Sequence, residues 1–300
     1  QMCIRDSQWS GLKSSENRGD RNMADYKNTP ADYLSLNEAA LARYKTDGYI
    51  IPKWRFSEED VTIMRELVEE IIQVNPEHQQ EQFVCPHLPR GATKPMISNR
   101  HRDFLKLSMA DGLCTILGQI VGQDILLWGS QLFCKPARTG MEIPWHQDGA
   151  YWPIRPLANV SAWIAIDEVK IENSCLRVIP GSHLNGLHPH ETDMREKIAL
   201  DQTVKQDHLE DHKAVNIELE PGQLVLFDVY LIHGSTANTS GKRRAGLVYR
   251  YMPSTSLFDR KVPDKINQAG HLVSYKDRPL FQVNGEEVGK NTMVEKYTYQ

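Results

Sequence analysis

Residues 144–152, "PWHQDGAYW", set His146 and Asp148 two positions apart among Trp145, Tyr151 and Trp152. On extended backbone alternate side chains share a face, so this imidazole and this carboxylate point the same way. Such a pair suits two neighbouring coordination positions on one divalent metal. A third ligand has to come from a distant strand, and His233 is the candidate. It closes the run Val225, Phe227, Val229, Leu231, His233, which a period of two places on one strand face. Four apolar members make that face interior. A buried histidine at its end, followed by Gly-Ser, needs a partner, and a metal is one.

Two histidines and a carboxylate facing one way form the facial triad of non-haem Fe(II) oxygenases, which leaves further positions open. A bidentate 2-oxo acid at such a metal needs a cation for its far carboxylate. Arg244, eleven residues after His233, opens the run Arg244, Gly246, Val248, Arg250. A planar guanidinium grips a carboxylate through two parallel hydrogen bonds. Strand parity alone leaves Arg243 open as the alternative. An H-x-D triplet by itself means little, and His101-Arg102-Asp103 is a second one. That triplet imitates a kinase catalytic loop but has Ser108 where asparagine belongs and no glycine-rich loop before it. Asp103 reads instead as the cap of a helix.

The elements that must position these residues begin at about residue 124. From there "DILLWGSQLFCKPA", "VSAWIAIDEV", "SCLRVIPGSH", "AVNIELE", "GQLVLFDVYLIHGS" and "RRAGLVYRYMP" are β-branched and aromatic runs bounded by Gly, Pro or Asn. Helical patterns between them are largely missing, which predicts antiparallel sheets. Residues 184–213 read as a polar insertion whose histidines are solvated loop residues. Upstream, a short helix opens at Ser35 and ends in a turn at Asp47-Gly48 followed by a strand. A second starts at Ser57 with Glu58, Glu59 and Asp60, since acids favour the positive helix end. It buries Val61, Met64, Val68, Ile71 and Ile72 by helical spacing. A third is expected over 101–122. The fold class predicted is mostly β with flanking α: a sandwich or jelly roll beneath an N-terminal helical layer.

The bulk numbers are compatible with this. The chain has 300 residues, 40% apolar and 25% charged, with a formal net charge of -4. That balance gives no general attraction to nucleic acid or anionic membrane. The densest basic run is Lys242-Arg243-Arg244, and no segment approaches the roughly 20 apolar residues of a membrane span. Five cysteines at irregular spacing form no disulfide or zinc framework, so a reducing, cytoplasmic setting is expected. Residues 1–22 contain "MCIRDS", which resembles a translated adapter remnant, and are expected to be a non-native or disordered leader. Residues 23–300 are then one domain: a helical layer about 35–122, a jelly-roll core about 124–253 and a tail 254–300.

Taken in order, "GYIIP", "WHQDGAYWP", "SAWIAIDEVKIENSCLRVIPGSH" and "HGSTANTSGKRRAGLVYRYMP" resemble the phytanoyl-CoA dioxygenase-like family of Fe(II)/2-oxoglutarate oxygenases, over roughly residues 36–255. The resemblance implies a double-stranded β-helix (jelly roll/cupin-like) core, Fe(II), and 2-oxoglutarate and O2 as co-substrates. It implies His146, Asp148 and His233 as iron ligands and, by spacing, Arg244 as partner of the distal 2-oxoglutarate carboxylate. Ser235 matches a hydroxyl that helps hold that carboxylate. Trp163 matches an aromatic near the co-substrate, on a face with Ser161, Ala165 and Asp167. Gln131 matches a polar residue entering the pocket from an early strand. Tyr151, Trp152 and Arg250 are the candidate substrate contacts, and the aromatics of the opening motif are expected to wall the pocket. Ser174 stands where the family often has Gly. With Asp at 148 the metal keeps its carboxylate, which favours hydroxylation over halogenation. The expected partner is a small-molecule substrate, with the protein a monomer or homodimer. Two other readings share the triad: a non-catalytic binding module, and a zinc hydrolase with water in the open position.

Overall fold

The structure is a computed structural model that describes residues 29–89, 98–150, 152–266 and 272–296. Its core is two packed sheets. The larger runs in the order Tyr49–Ile50, Leu224–Asp228, Val160–Ala165, Arg244–Pro253, Ile125–Lys135, Leu280–Asn284, Val294–Lys296, with Phe83–Val84 also paired to Ile125–Lys135. Its ladders are antiparallel except the last, where Leu280 pairs with Val294 in parallel. The smaller sheet runs Val215–Ile217, Leu176–Val178, His233–Ser235, Ile143–His146. This is the jelly-roll architecture.

Sequence pattern explains the layering. All six residues of Val160–Ala165 are buried. Val160, Ala162 and Ile164 face the helices, whereas Trp163 and Ala165 face the smaller sheet. A strand covered on both sides has no solvated face to show, hence a run that is apolar except for Ser161, whose hydroxyl bonds Asp148. The helical cover is anchored by Glu58–Val74, which opens with a capping box: Ser57 Oγ accepts from Asp60 N at 3.1 Å while the Asp60 carboxylate accepts from Ser57 N at 3.1 Å. It buries Val61, Met64, Leu67, Val68 and Ile71. Ile72, expected inside, is only partly covered.

Three local expectations are corrected. The helix expected to open at Ser35 is Glu38–Asp47, capped by Asn37, and Gly48 closes it at φ 81°. Residues 101–122 form two helices, His101–Ser108 and Asp111–Val121, bent by 53°. Asp103 lies in the first turn and pairs with Arg100 Nε at 2.7 Å; its side chain is not the cap. Among the described residues no single helix is long and apolar enough to cross a membrane. The tail adds strand Leu280–Asn284 beside Ile125–Lys135, so part of it completes the larger sheet. The leader 1–22 lies outside the described residues.

One buried histidine away from the cavity gives the fold a pH dependence. His87 is fully buried, with Nδ1 2.6 Å from Ser130 Oγ and its ring edge-on to Phe281. Burial, with Arg278 and His101 nearby, pushes its pKa from 6.5 to about 3. The unfolded chain therefore binds the proton that the folded one refuses. This contribution is fully present above pH 6.5 and drains away as pH falls toward 3. Between pH 6.5 and 5 the loss should be on the order of 1–2 kcal/mol. Urea unfolding at the two pH values measures it, and His87→Gln should flatten the difference by about that amount.

Candidate metal centre

His146 ends the strand Ile143–His146, and His233 begins the strand beside it. The two residues are direct partners across the antiparallel ladder, with ring centroids 4.2 Å apart. The register shifts just beyond them, so that Ser235 faces Ile143. Pro144 has no N–H to give a ladder, and a bulge accommodates it. Gly234 makes the crossing possible, because a Cβ there would lie 2.9 Å from Ile143 O. Asp148 belongs to a short 3-10 turn, Asp148–Ala150, rather than to extended backbone. Its carboxylate still reaches the pair: Oδ1 is 3.8 Å from His146 Nε2 and Oδ2 is 4.0 Å from His233 Nε2.

The run expected to carry His233 as one strand face breaks after Asp228. Val225 and Phe227 belong to the larger sheet, and His233 is delivered by the smaller one. The two meet across the sandwich, with Phe227 and His233 rings 4.7 Å apart. Parity pointed to a histidine that the structure sets beside His146, across a connection that is not a strand.

The chemistry of the donors fits a metal. His146 Nδ1 donates to Pro144 O and His233 Nδ1 to Leu231 O, each at 2.9 Å. A carbonyl only accepts, so both rings carry the proton on Nδ1 and turn an Nε2 lone pair toward Asp148. Burial drives His146 down to about 3 and lowers His233 as well, keeping both neutral as ligation requires. Ser161 Oγ donates to Asp148 Oδ2 at 3.1 Å and fixes the carboxylate. Among the described residues these three form the only group of histidine, cysteine or acid side chains close enough to share an ion, with donor atoms within 4.8 Å of one another.

Gln147, between two of these residues, is fully buried. Its side chain bonds Gly186 O, Tyr230 O and His188 N. Its backbone N–H donates to His190 Nε2 at 3.1 Å, while His190 Nδ1 donates to His188 O at 2.8 Å. The insertion 184–213, expected to be a solvated loop, thus braces the ligand strand, with a hairpin of His190–Thr192 and Gln202–Val204. His190→Phe leaves that N–H unpaired and should weaken metal binding by roughly 10–100-fold. An anaerobic Fe(II) titration checks it. His190→Gln, whose amide oxygen still accepts, should restore most of the affinity.

The triad opens on a cavity of about 390 Å³, part of it continuous with solvent. Phe133, Trp163, Leu176, Phe227 and Val248 make its apolar walls, and Ser235, Arg244 and Arg250 line it with polar groups. The two neighbouring arginines are placed differently. Arg243 turns outward to Asp167 and Glu69. Arg244 is buried, and burial lowers its pKa to about 10. Its Nε donates to Ser174 O at 3.0 Å, Nη2 to Ser235 Oγ at 3.3 Å, and Cζ sits 5.4 Å from the Trp163 ring centre. Asp167, expected on Trp163's face, pairs with Arg243 instead.

Lys135, opposite Arg244 in the ladder, went unnoticed in the sequence. It is fully buried, with Nζ 2.9 Å from Ser174 Oγ, 2.7 Å from Ser235 Oγ and 2.5 Å from Thr236 O. Burial, then the charge of Arg244, lowers its pKa well below the usual lysine range. Ser174, in the place of a common glycine, adopts φ 73°. A non-glycine residue there costs roughly 1–2 kcal/mol, but its hydroxyl joins Lys135 to Thr236 O.

The remaining expected contacts divide. Trp152 is buried under the Arg250 guanidinium, 5.2 Å from ring centre to Cζ, and edge-on to Trp128. Gln131 is not on the cavity wall; its Oε1 accepts from Arg250 Nη2 at 3.1 Å. Trp145 also leaves the wall, packing with Ile179, Val204 and Ile232 beneath Arg177. Tyr151 lies outside the described residues.

Comparison with known proteins shows the family and the fold. The rat peroxisomal phytanoyl-CoA dioxygenase is 30% identical over 230 residues, covering 71% of this chain and 67% of that one. The human enzyme is 36% identical over 131 residues, covering 41% of this chain. The chain spans only 38% of that human relative's length. The solved structure of CytC3 with Fe(II) and alpha-ketoglutarate has a TM-score of 0.59 at 18% identity, covering 87% of this chain and 94% of that one, and shares the fold. Residues 44–246 match the family described as phytanoyl-CoA dioxygenase (PhyH), and the chain belongs to that family.

Proposed function

We propose that this protein is an Fe(II)/2-oxoglutarate-dependent dioxygenase that hydroxylates a C–H bond of a small organic substrate. The observation that carries the reading is the convergence of two neutral imidazoles and one carboxylate at a cavity that also holds a buried arginine. Among the described residues no carboxylate lies within ion-pair distance of Arg244, so its charge awaits an anionic guest. Family membership and the iron and alpha-ketoglutarate named for CytC3 support the same assignment.

In this reading His146, Asp148 and His233 hold Fe(II). Bound iron with 2-oxoglutarate supplies the oxidising power for an O2-dependent hydroxylation that releases succinate and CO2. The chain's own residues bind, orient and dehydrate. Arg244 and the Ser235 hydroxyl take the distal carboxylate of 2-oxoglutarate, with Trp163 beneath the guanidinium. Lys135 holds Ser235 from behind, which leaves that hydroxyl's own proton for the guest. Gln131 and Trp152 act one step removed, by fixing Arg250, and Arg250 meets the substrate. The apolar walls keep bulk water from the reacting centre. A reducing compartment, the cytoplasm, suits the four described cysteines, all free and buried.

The test is succinate formation with Fe(II), ascorbate and 2-oxoglutarate across a substrate panel. Turnover must need O2, and His146→Ala must abolish it. Activity that persists without O2 would point to a hydrolase, and failure to bind Fe(II) stoichiometrically would leave a binding module.

A further inference from the structure

The strand Arg244–Pro253 brings Arg244, Val248 and Arg250 to the same cavity. Under the reading above Arg244 takes a carboxylate of 2-oxoglutarate, whereas Arg250 faces a substrate whose chemistry that reading leaves open. Its side chain is held in place, with Nη2 on Gln131 Oε1 at 3.1 Å and Cζ 5.2 Å from the Trp152 ring centre. It is 9% exposed, and its Nε is buried without a hydrogen-bond partner. No carboxylate of the described residues comes within ion-pair distance of it. Asp148, the acid of the cavity wall, is occupied by Ser161 and faces the two imidazoles.

A lysine in such a place could shed its proton, but a guanidinium stays charged. Burying it unpaired is costly, so the fold must gain something from holding it there. Position indicates what is missing. Six residues of strand separate the two arginines, about 20 Å between Cα atoms, so a carboxylate held at Arg244 does not also reach Arg250. The one acid among the described lining residues, Asp148, faces the two imidazoles.

We propose that Arg250 anchors an anionic group, a carboxylate, carried by the substrate, so that this protein acts on an organic acid. The planar cradle of Gln131 and Trp152 orients the guanidinium edge toward that carboxylate. The proposal rests on the dioxygenase reading, since it needs 2-oxoglutarate at the Arg244 end.

The test uses protein loaded with Mn(II) and 2-oxoglutarate. Linear, branched, aromatic and amino acids are each paired with their primary amides, and binding is read from paramagnetic broadening of their proton NMR signals. In the wild type, acids should bind roughly 10- to 100-fold more tightly than their amides. Arg250→Gln should erase that preference while 2-oxoglutarate affinity, measured by calorimetry, shifts by less than about threefold. Arg250→Lys keeps charge without the planar fork and should retain an intermediate preference. A wild type that binds no acid better than its amide overturns the proposal. So does an Arg250→Gln protein that keeps the acid preference but loses 2-oxoglutarate, because the arginine would then serve the co-substrate. If the wild type binds neither Mn(II) nor 2-oxoglutarate, before any acid is added, the dioxygenase reading itself fails and the acid anchor falls with it.

Discussion

Asp148→Ala should lower succinate formation by about a thousandfold, the several kcal/mol of metal assistance converted at roughly 1.4 kcal/mol per decade. The reason lies in the cavity's charges. Asp148 is the one acid among its described lining residues, beside two imidazoles that burial keeps neutral. Without it a dication would enter a dry site with no opposing protein charge, and the Ser161 hydroxyl would lose its acceptor. Anaerobic Fe(II) titration should show the affinity collapse alongside the activity. The metal-free variant should stay folded, losing little more than the hydrogen bond from Ser161, because a buried carboxylate is removed rather than stranded. That separates loss of the metal from loss of the fold. Full activity in the alanine variant would dismiss the triad as a metal site.

Arg244→Met should weaken 2-oxoglutarate binding by roughly a hundredfold or more, the scale of truncating one side of a buried charge pair. Arg244→Lys should recover little, since an ammonium cannot reproduce the fork that reaches Ser174 O and Ser235 Oγ together. Lys135→Met should act more gently. It removes the 2.7 Å donor behind Ser235 without touching the guest, so a loss of about tenfold is expected. Calorimetry with Mn(II)-loaded protein reads both, and metal affinity should stay at the wild-type value in each. An Arg244→Met protein that binds 2-oxoglutarate normally would move the co-substrate elsewhere in the cavity.

The three residues stood out because His and Asp are rare within or beside aromatic and apolar runs, and because Gly and Pro mark where the chain turns. The sheets were legible for the same reason. What escaped depended on pairing. Lys135 ends "LFCK" and looks like a solvated strand end, the usual place for lysine; only its position opposite Arg244 reveals a buried cation. Gln147 and His190 are 43 residues apart and meet backbone to side chain, which leaves no periodic trace. The break between His101–Ser108 and Asp111–Val121 has no proline or glycine at Met109 and Ala110. Its cause is local: Ser108 Oγ donates to Leu105 O at 2.6 Å and competes with the helix for that carbonyl. Trp145 misled because neighbours along a strand face opposite ways, and His146 took the inward position.

Because His146 and His233 are ladder partners, the ion's coordination sphere doubles as a gauge of strand alignment. A slip of one residue between Ile143–His146 and His233–Ser235 would turn one imidazole to the far side of the sheet. Metal uptake therefore reports closure between segments almost ninety residues apart, and a chain misaligned there during folding would be blind to iron.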